Sequence, residues 1–142
     1  MRKVLIAIIV ITTFQMCSLK KNDGLKVELN PEIEIGLNKY KSQLGIENID
    51  INYEDSSMHG DSVNSVHVLL FNPKRMTLDE AENESLTLEI AGLVYQNIIN
   101  KNAFSKIDID FIYEKTFLRD YDYISRHTFT CEQIENYCSK LE

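Results

Sequence analysis

From Asn30 onward the hydrophobic positions recur at helical spacing. Ile33, Leu37, Tyr40 and Leu44 fall on one face, leaving Glu32, Glu34, Lys39 and Lys41 for solvent. Asn30 is a candidate N-cap, Pro31 suits the first helical position, and Gly45 stands where a left-handed residue would end the helix. The period then changes to two. Ile49, Ile51 and Tyr53 alternate with Asp50, Asn52 and Glu54, which predicts a strand with one buried face. After a polar stretch from Asp55 to Ser62 comes the segment Val63 to Phe71, whose core from Val66 is apolar on both parities and predicts a strand in the middle of a sheet.

Asn72-Pro73 ends that strand, and Thr77 with Glu80 has the spacing of a capping box for a long helix reaching about Asn100. Leu86, Leu88, Ile90, Ala91, Leu93, Val94, Ile98 and Ile99 cover more than one stripe of this helix, so its second half should be deeply buried. Gly92 would mark a close approach to the sheet or to the first helix. Ile107, Ile109, Phe111 and Tyr113 then alternate with Lys106, Asp108 and Asp110 in a third strand. A turn around Thr116 to Asp120 leads to a fourth strand, Tyr121 to Phe129, and Thr130 with Gln133 opens a short final helix.

The order α-β-β-α-β-β-α predicts two hairpins feeding one four-stranded antiparallel sheet with the helices on one face, an α+β two-layer sandwich. Gly36-Leu37 with Ile49-Asp50-Ile51 and Gly92-Leu93 with Ile107-Asp108-Ile109 hint at an internal duplication, but the identities are few and chance explains them more simply.

The first residues follow a different pattern. Met1-Arg2-Lys3 is a short positive segment, and the apolar run from Val4 is about 11 residues, ~17 Å as a helix, against the ~20 residues that span a bilayer. The run reads as a signal-peptide core, and Cys17 follows it at once, ahead of the polar Lys20-Lys21-Asn22-Asp23-Gly24. The arrangement resembles the type II signal peptide of bacterial lipoproteins, although Phe14-Gln15-Met16 stands where that family prefers Leu and small residues. The resemblance implies that residues 1–16 are removed and that Cys17 carries lipid in the cell envelope, at the outer membrane facing the periplasm. Residues 17–29 would then be the lipidated Cys and a flexible tether, with one domain at 30–142.

Composition narrows the partners. The chain is 44% hydrophobic and 26% charged, in the range of globular proteins. Removing Arg2 and Lys3 from the 15 basic residues, against 22 acidic ones, moves the formal charge from −7 to −9. Such a chain repels phosphate backbones and anionic headgroups, so nucleic acid is not an expected partner, whereas the charge is compatible with a cationic protein, a cationic ligand or a divalent metal. Membrane contact is expected through the N-terminal lipid alone.

Candidate chemistry is sparse. The loop from Ser56 to Ser62 holds Ser, His59 and Asp61, but one short loop cannot hold a nucleophile, base and orienting acid rigidly, and turns recruit the same residues. The 3 histidines, His59, His67 and His127, have no metal-ligand spacing, and convergence of His67 with His127 on neighbouring strands is the one arrangement that would change this. No cofactor or metal is expected. Cys131 and Cys138, if in one helix, are ~10.5 Å apart along its axis, beyond the ~7 Å limit for a bridge, and should be free.

The best candidate for binding is the helix-free face of the sheet, formed by Asp50, Asn52, Asp108 and Asp110, where the three aspartates would present carboxylates to a cationic partner. The hairpin tyrosines Tyr121 and Tyr123 are the next choice. If this face is solvated, Asp108 and Asp110 should be replaceable by Asn with little change in stability. The residues point to a non-enzymatic binding module. An acidic inhibitor or immunity-type protein that blocks a cationic enzyme is the alternative, and a hydrolase the remoter one.

Overall fold

A computed structural model of the chain describes residues 25–56, 63–76, 79–115 and 120–141, the side chains of 56 and 114–124 excepted. The elements are α1 (Ile33–Leu44), β1 (Asn48–Ser56), β2 (Val63–Phe71), α2 (Glu80–Asn97), a 3₁₀ turn (Lys101–Ala103), β3 (Lys106–Lys115), β4 (Asp120–Thr130) and α3 (Cys131–Cys138). The 3₁₀ turn is an addition to the order read from the sequence.

The helix ends show how local the signals are. Asn30 acts one step before the helix proper: its Oδ1 accepts the Glu32 N–H at 3.1 Å and its carbonyl accepts that of Ile33 at 3.1 Å, so Pro31 and Glu32 form an entry turn. Gly45 closes α1 at φ 64°, where a side chain would be strained. Asp79 caps α2, its Oδ1 accepting the N–H groups of Ala81 at 2.9 Å and Glu82 at 3.3 Å. The expected cap Thr77 lies outside the described residues. The Thr130–Gln133 box is present in both directions: the Gln133 N–H donates to Thr130 Oγ1 at 3.2 Å and the Thr130 N–H to Gln133 Oε1 at 2.8 Å.

The sheet has the order β1-β2-β3-β4 and is mixed, which corrects the antiparallel expectation. β1 with β2 and β3 with β4 are antiparallel, whereas β2 and β3 run parallel, with Val66 opposite Ile107 and His67 opposite Asp108. The reason is the connection. A tight turn reverses the chain, but α2 and its flanking segments carry it back along the sheet, so β3 starts at the end where β2 started.

Parallel central strands also argue against duplication. β1 and β3 then run in opposite directions, so laying the first hairpin on the second would turn the sheet over. Yet Ile49 and Ile51 pack against the same core as Ile107 and Ile109.

One core joins the sheet to all three helices. Val66, Val68, Leu70, Ile107, Ile109 and Phe111 alternate inward along β2 and β3 and meet Tyr40 and Leu44 of α1, Ile90, Ala91 and Val94 of α2 and Ile134 of α3. Each Val, Leu, Ile or Phe among them stabilises the fold by ~1.5–3 kcal/mol relative to exposure. α1 meets α2 closely at Gly36, where an added Cβ would lie 2.7 Å from the Leu93 methyls. Gly92 faces Cys138 and Tyr137 of α3, not the sheet or α1.

The domain also begins earlier than residue 30. Leu25, Val27 and Leu29 pack on the core, and Leu29 forms an antiparallel bridge with Ile98. Asn100 clamps the segment, its Oδ1 accepting the Glu28 N–H at 3.0 Å and its Nδ2 donating to the Lys26 carbonyl at 2.8 Å. This pairing ends α2 at Asn97, short of the expected Asn100. Among the described residues no helix is long and apolar enough to cross a membrane.

Candidate functional site: a paired polar cluster on the helix-free face

The same alternation that buries the isoleucines sends Ser65 and His67 of β2, Lys106, Asp108 and Asp110 of β3, and Arg126 and Thr128 of β4 to the other face. Glu54 of β1 joins them opposite Ser65. The register places His67 beside Asp108, Asp108 beside Thr128 and Asp110 beside Arg126.

His67 Nε2 lies 2.6 Å from Glu54 Oε2 and 2.9 Å from Asp108 Oδ2, and Nδ1 lies 3.7 Å from Asp110 Oδ2. Thr128 Oγ1 donates to Asp108 Oδ1 at 2.5 Å, and Lys106 Nζ is 3.2 Å from Asp108 Oδ2. Arg126 grips Asp110 with two bonds, Nε to Oδ1 and Nη2 to Oδ2, both 2.8 Å. This bidentate geometry is the strongest form of a carboxylate contact.

The carboxylates are internal. Asp108 is 0% exposed and Asp110 2%, whereas Glu54 and Arg126 keep 55% and 45% of their side chains in solvent. Burial alone would push the Asp108 carboxyl up. The bonds from His67, Thr128 and Lys106 outweigh it and hold the group well below the usual carboxylate range. The result is a buried polar layer with a charged rim of Glu54, Lys106 and Arg126.

The residues singled out from the sequence divide accordingly. Asp50, Asn52, Asp108 and Asp110 share one face as expected, but only Asn52 and the half-buried Asp50 reach solvent. Asp50 Oδ1 accepts a hydrogen bond from Asn48 Nδ2 at 2.8 Å. Tyr121 and Tyr123 sit on β4 opposite Glu114 and Ile112, and their side chains lie outside the described residues, as do Cys17 and His59. His67 and His127 do not converge. His127 pairs with Ile109 on the helix-covered face and meets the Phe111 ring edge-on at 6.3 Å. Cys131 and Cys138 stand at the two ends of α3 as free thiols.

Glu54, Lys106, Arg126 and Thr128 were not recognised from the sequence. Their alternation was visible, but the register that sets Arg126 against Asp110 was not. That register depends on an irregularity between Phe111 and Ile112, which pairs Ser125 with Phe111 and Tyr123 with Ile112.

Chemically, the cluster is occupied by itself. A general base needs a lone pair aimed at a substrate. Here His67 Nε2 lies between two carboxylates, Thr128 bonds Asp108 Oδ1 and Arg126 grips both oxygens of Asp110, while Asp108 Oδ2 has His67 and Lys106 within 3.2 Å but no aligned hydrogen bond. Among the described residues no group of three or more His, Cys, Asp or Glu is arranged to hold a metal ion. Compared with protein families, with curated proteins and with solved structures, the chain matches none.

Proposed function

We propose that the protein is a lipid-anchored component of the bacterial cell envelope whose single domain is a non-catalytic binding module, held by lipid on Cys17. The observation that carries the binding reading is the internally paired cluster, in which the buried Asp108 and Asp110 are held by Thr128 and Arg126, with His67 and Lys106 beside Asp108. Such a network suits a rigid recognition platform better than an acid/base centre. Its rim offers charges of both signs, so the surface favours a partner with complementary charge over a uniformly basic one.

With the domain reaching back to Leu25, a lipid on Cys17 would have only residues 18–24 to span, at most about 25 Å. The partner would therefore lie at or near the membrane surface. Detergent-phase partitioning of the wild type and of Cys17→Ala tests the anchor: wild type in the detergent phase and the variant in the aqueous phase is the expected result, and identical aqueous behaviour rejects it. A photo-crosslinking amino acid at Asn52 tests the surface. One discrete adduct in intact envelopes, weakened by Arg126→Glu, is expected; no adduct rejects the helix-free face.

A further inference from the structure

The helical layer holds two adjoining clefts, about 370 Å³ and about 400 Å³, and Glu89 of α2 lines both. In the first it stands with Tyr40 of α1, Tyr137 of α3, Leu93 and Leu141. In the second its neighbours are Arg75, Glu82 and Ser85. Tyr40 Oη donates to Glu89 Oε2 at 3.4 Å, a long bond that leaves Oε1 without a donor among the described residues. Among the described residues no cation lies within ion-pair distance of Glu89, Arg75 included.

The rings matter as much as the carboxylate. Burial first, and then the Glu89 charge, push the Tyr40 and Tyr137 hydroxyls up, so one carboxylate acts on both rings. Tyr40 already draws an ammonium: Lys39 Nζ lies 5.4 Å from its ring centroid. Leu141, 69% exposed, and the half-buried Leu93 add an apolar rim to the same cleft.

We propose that Glu89, Tyr40 and Tyr137 form a binding site for a primary ammonium, the side chain of a lysine presented by a partner protein. The carboxylate supplies the counter-charge, the tyrosine rings supply cation–π attraction, and Leu93 with Leu141 cover the methylene stem. Ammonium fits better than guanidinium. With Oε2 engaged by Tyr40, Glu89 offers one free oxygen to a point charge rather than two to a planar fork. The site lies on the layer opposite the polar cluster and does not rest on that cluster's role. A failed crosslink at Asn52 and a failed ammonium site are therefore separate results.

The test is a nuclear magnetic resonance titration of the full chain in zwitterionic micelles with acetyl-Gly-Lys-Gly-amide, its Nε-acetylated analogue and cadaverine, each to ~50 mM, the range of single-contact affinities. Saturable shifts centred on residues 89, 40 and 137 are expected with the lysine peptide and none with the acetylated one. Glu89→Gln should weaken binding at least ~10-fold, and Tyr137→Leu by a smaller factor. Equal binding of both peptides, no saturable shift, or unchanged affinity in Glu89→Gln overturns the site. Cadaverine binding well ahead of the peptide overturns the assignment to a protein lysine. The comparison of the two peptides uses wild type alone, so it decides the matter even if a variant fails to fold.

Discussion

The chain contains the tripeptide Ile-Asp-Ile twice, and its two copies have opposite fates. In Ile49-Asp50-Ile51 the aspartate lies on the edge strand β1, half-buried, with a hydrogen bond from Asn48 two residues away. In Ile107-Asp108-Ile109 the aspartate lies on β3, between β2 and β4, and is 0% exposed, held by His67, Thr128 and Lys106. The isoleucines behave alike in both copies, packing into the helix-covered core. What differs is the number of neighbouring strands. An edge aspartate has one flank of side chains and water on the other; an inner one has two flanks and must find its hydrogen bonds among them.

This reverses the expectation that Asp108 and Asp110 could be exchanged at little cost, and it sets the largest effect. Asp108→Ala would leave His67, Lys106 and Thr128 without their shared acceptor, and breaking a buried charged network by removing one member costs ~3–5 kcal/mol. Urea denaturation at neutral pH measures it. A loss under ~1 kcal/mol would mean that water readily replaces the carboxylate, and the contrast between the two copies would collapse.

Acid should reproduce part of that loss. The Asp108 carboxyl is held below its unfolded value of ~3.9, so its contribution is fully present above the unfolded pKa and declines as pH falls through that value toward the lower folded one. Stability followed from pH 6 to pH 3 should fall most steeply below pH ~4, where the unfolded chain takes up the proton that the folded chain refuses. Asp108→Asn, if it folds, should flatten this slope, whereas Asp50→Asn should retain it. An identical slope in all three proteins would assign acid sensitivity to other groups.

Arg126→Gln is expected to cost less, on the order of 2 kcal/mol, because the guanidinium is 45% exposed and water can partly replace its two bonds to Asp110. Combining it with Asp110→Asn gives a double-mutant cycle. A coupling near zero would show that the buried Asp110 relies on its other neighbours. The smallest effect belongs to Asp50→Ala, within ~0.5 kcal/mol, as for surface changes generally. A larger loss would mean that the edge strand is covered by a part of the chain or by a partner.

Several elements were legible because their signals act over a few residues. Thr130 and Gln133 meet across one turn, Gly45 takes the one backbone conformation that suits it, and the isoleucines of β1 and β3 face inward as their period demands. The errors lie where a local signal had a distant competitor. Ile98 and Ile99 continue the apolar pattern of α2, yet with Asn100 they leave the helix to pair with Glu28 and Leu29. The parallel pairing of β2 with β3 follows from the helical crossover between them, which the expectation of two side-by-side hairpins overlooked.

The polar cluster was half legible. Asp108 and Asp110 were placed on the correct face, but their partners were not, because the parity of Arg126 and Thr128 relative to β3 depends on the irregular pairing beside Phe111. His127 shows the same dependence: one residue from Arg126 and Thr128, it lies on the opposite face against Phe111.

The sequence alone therefore determined the kinds of element, their order apart from the 3₁₀ turn, and the apolar faces of β1 and β3. Hydrogen bonding within a helix turn and side-chain alternation along a strand are decided by neighbours in the chain. The tertiary structure decided which carboxylates lost their water. Desolvation depends on neighbours in space, and those of Asp108 came from His67 on one adjoining strand and Thr128 on the other. The two Ile-Asp-Ile segments have the same three residues, and only their places in the sheet separate a solvated side chain from a buried one.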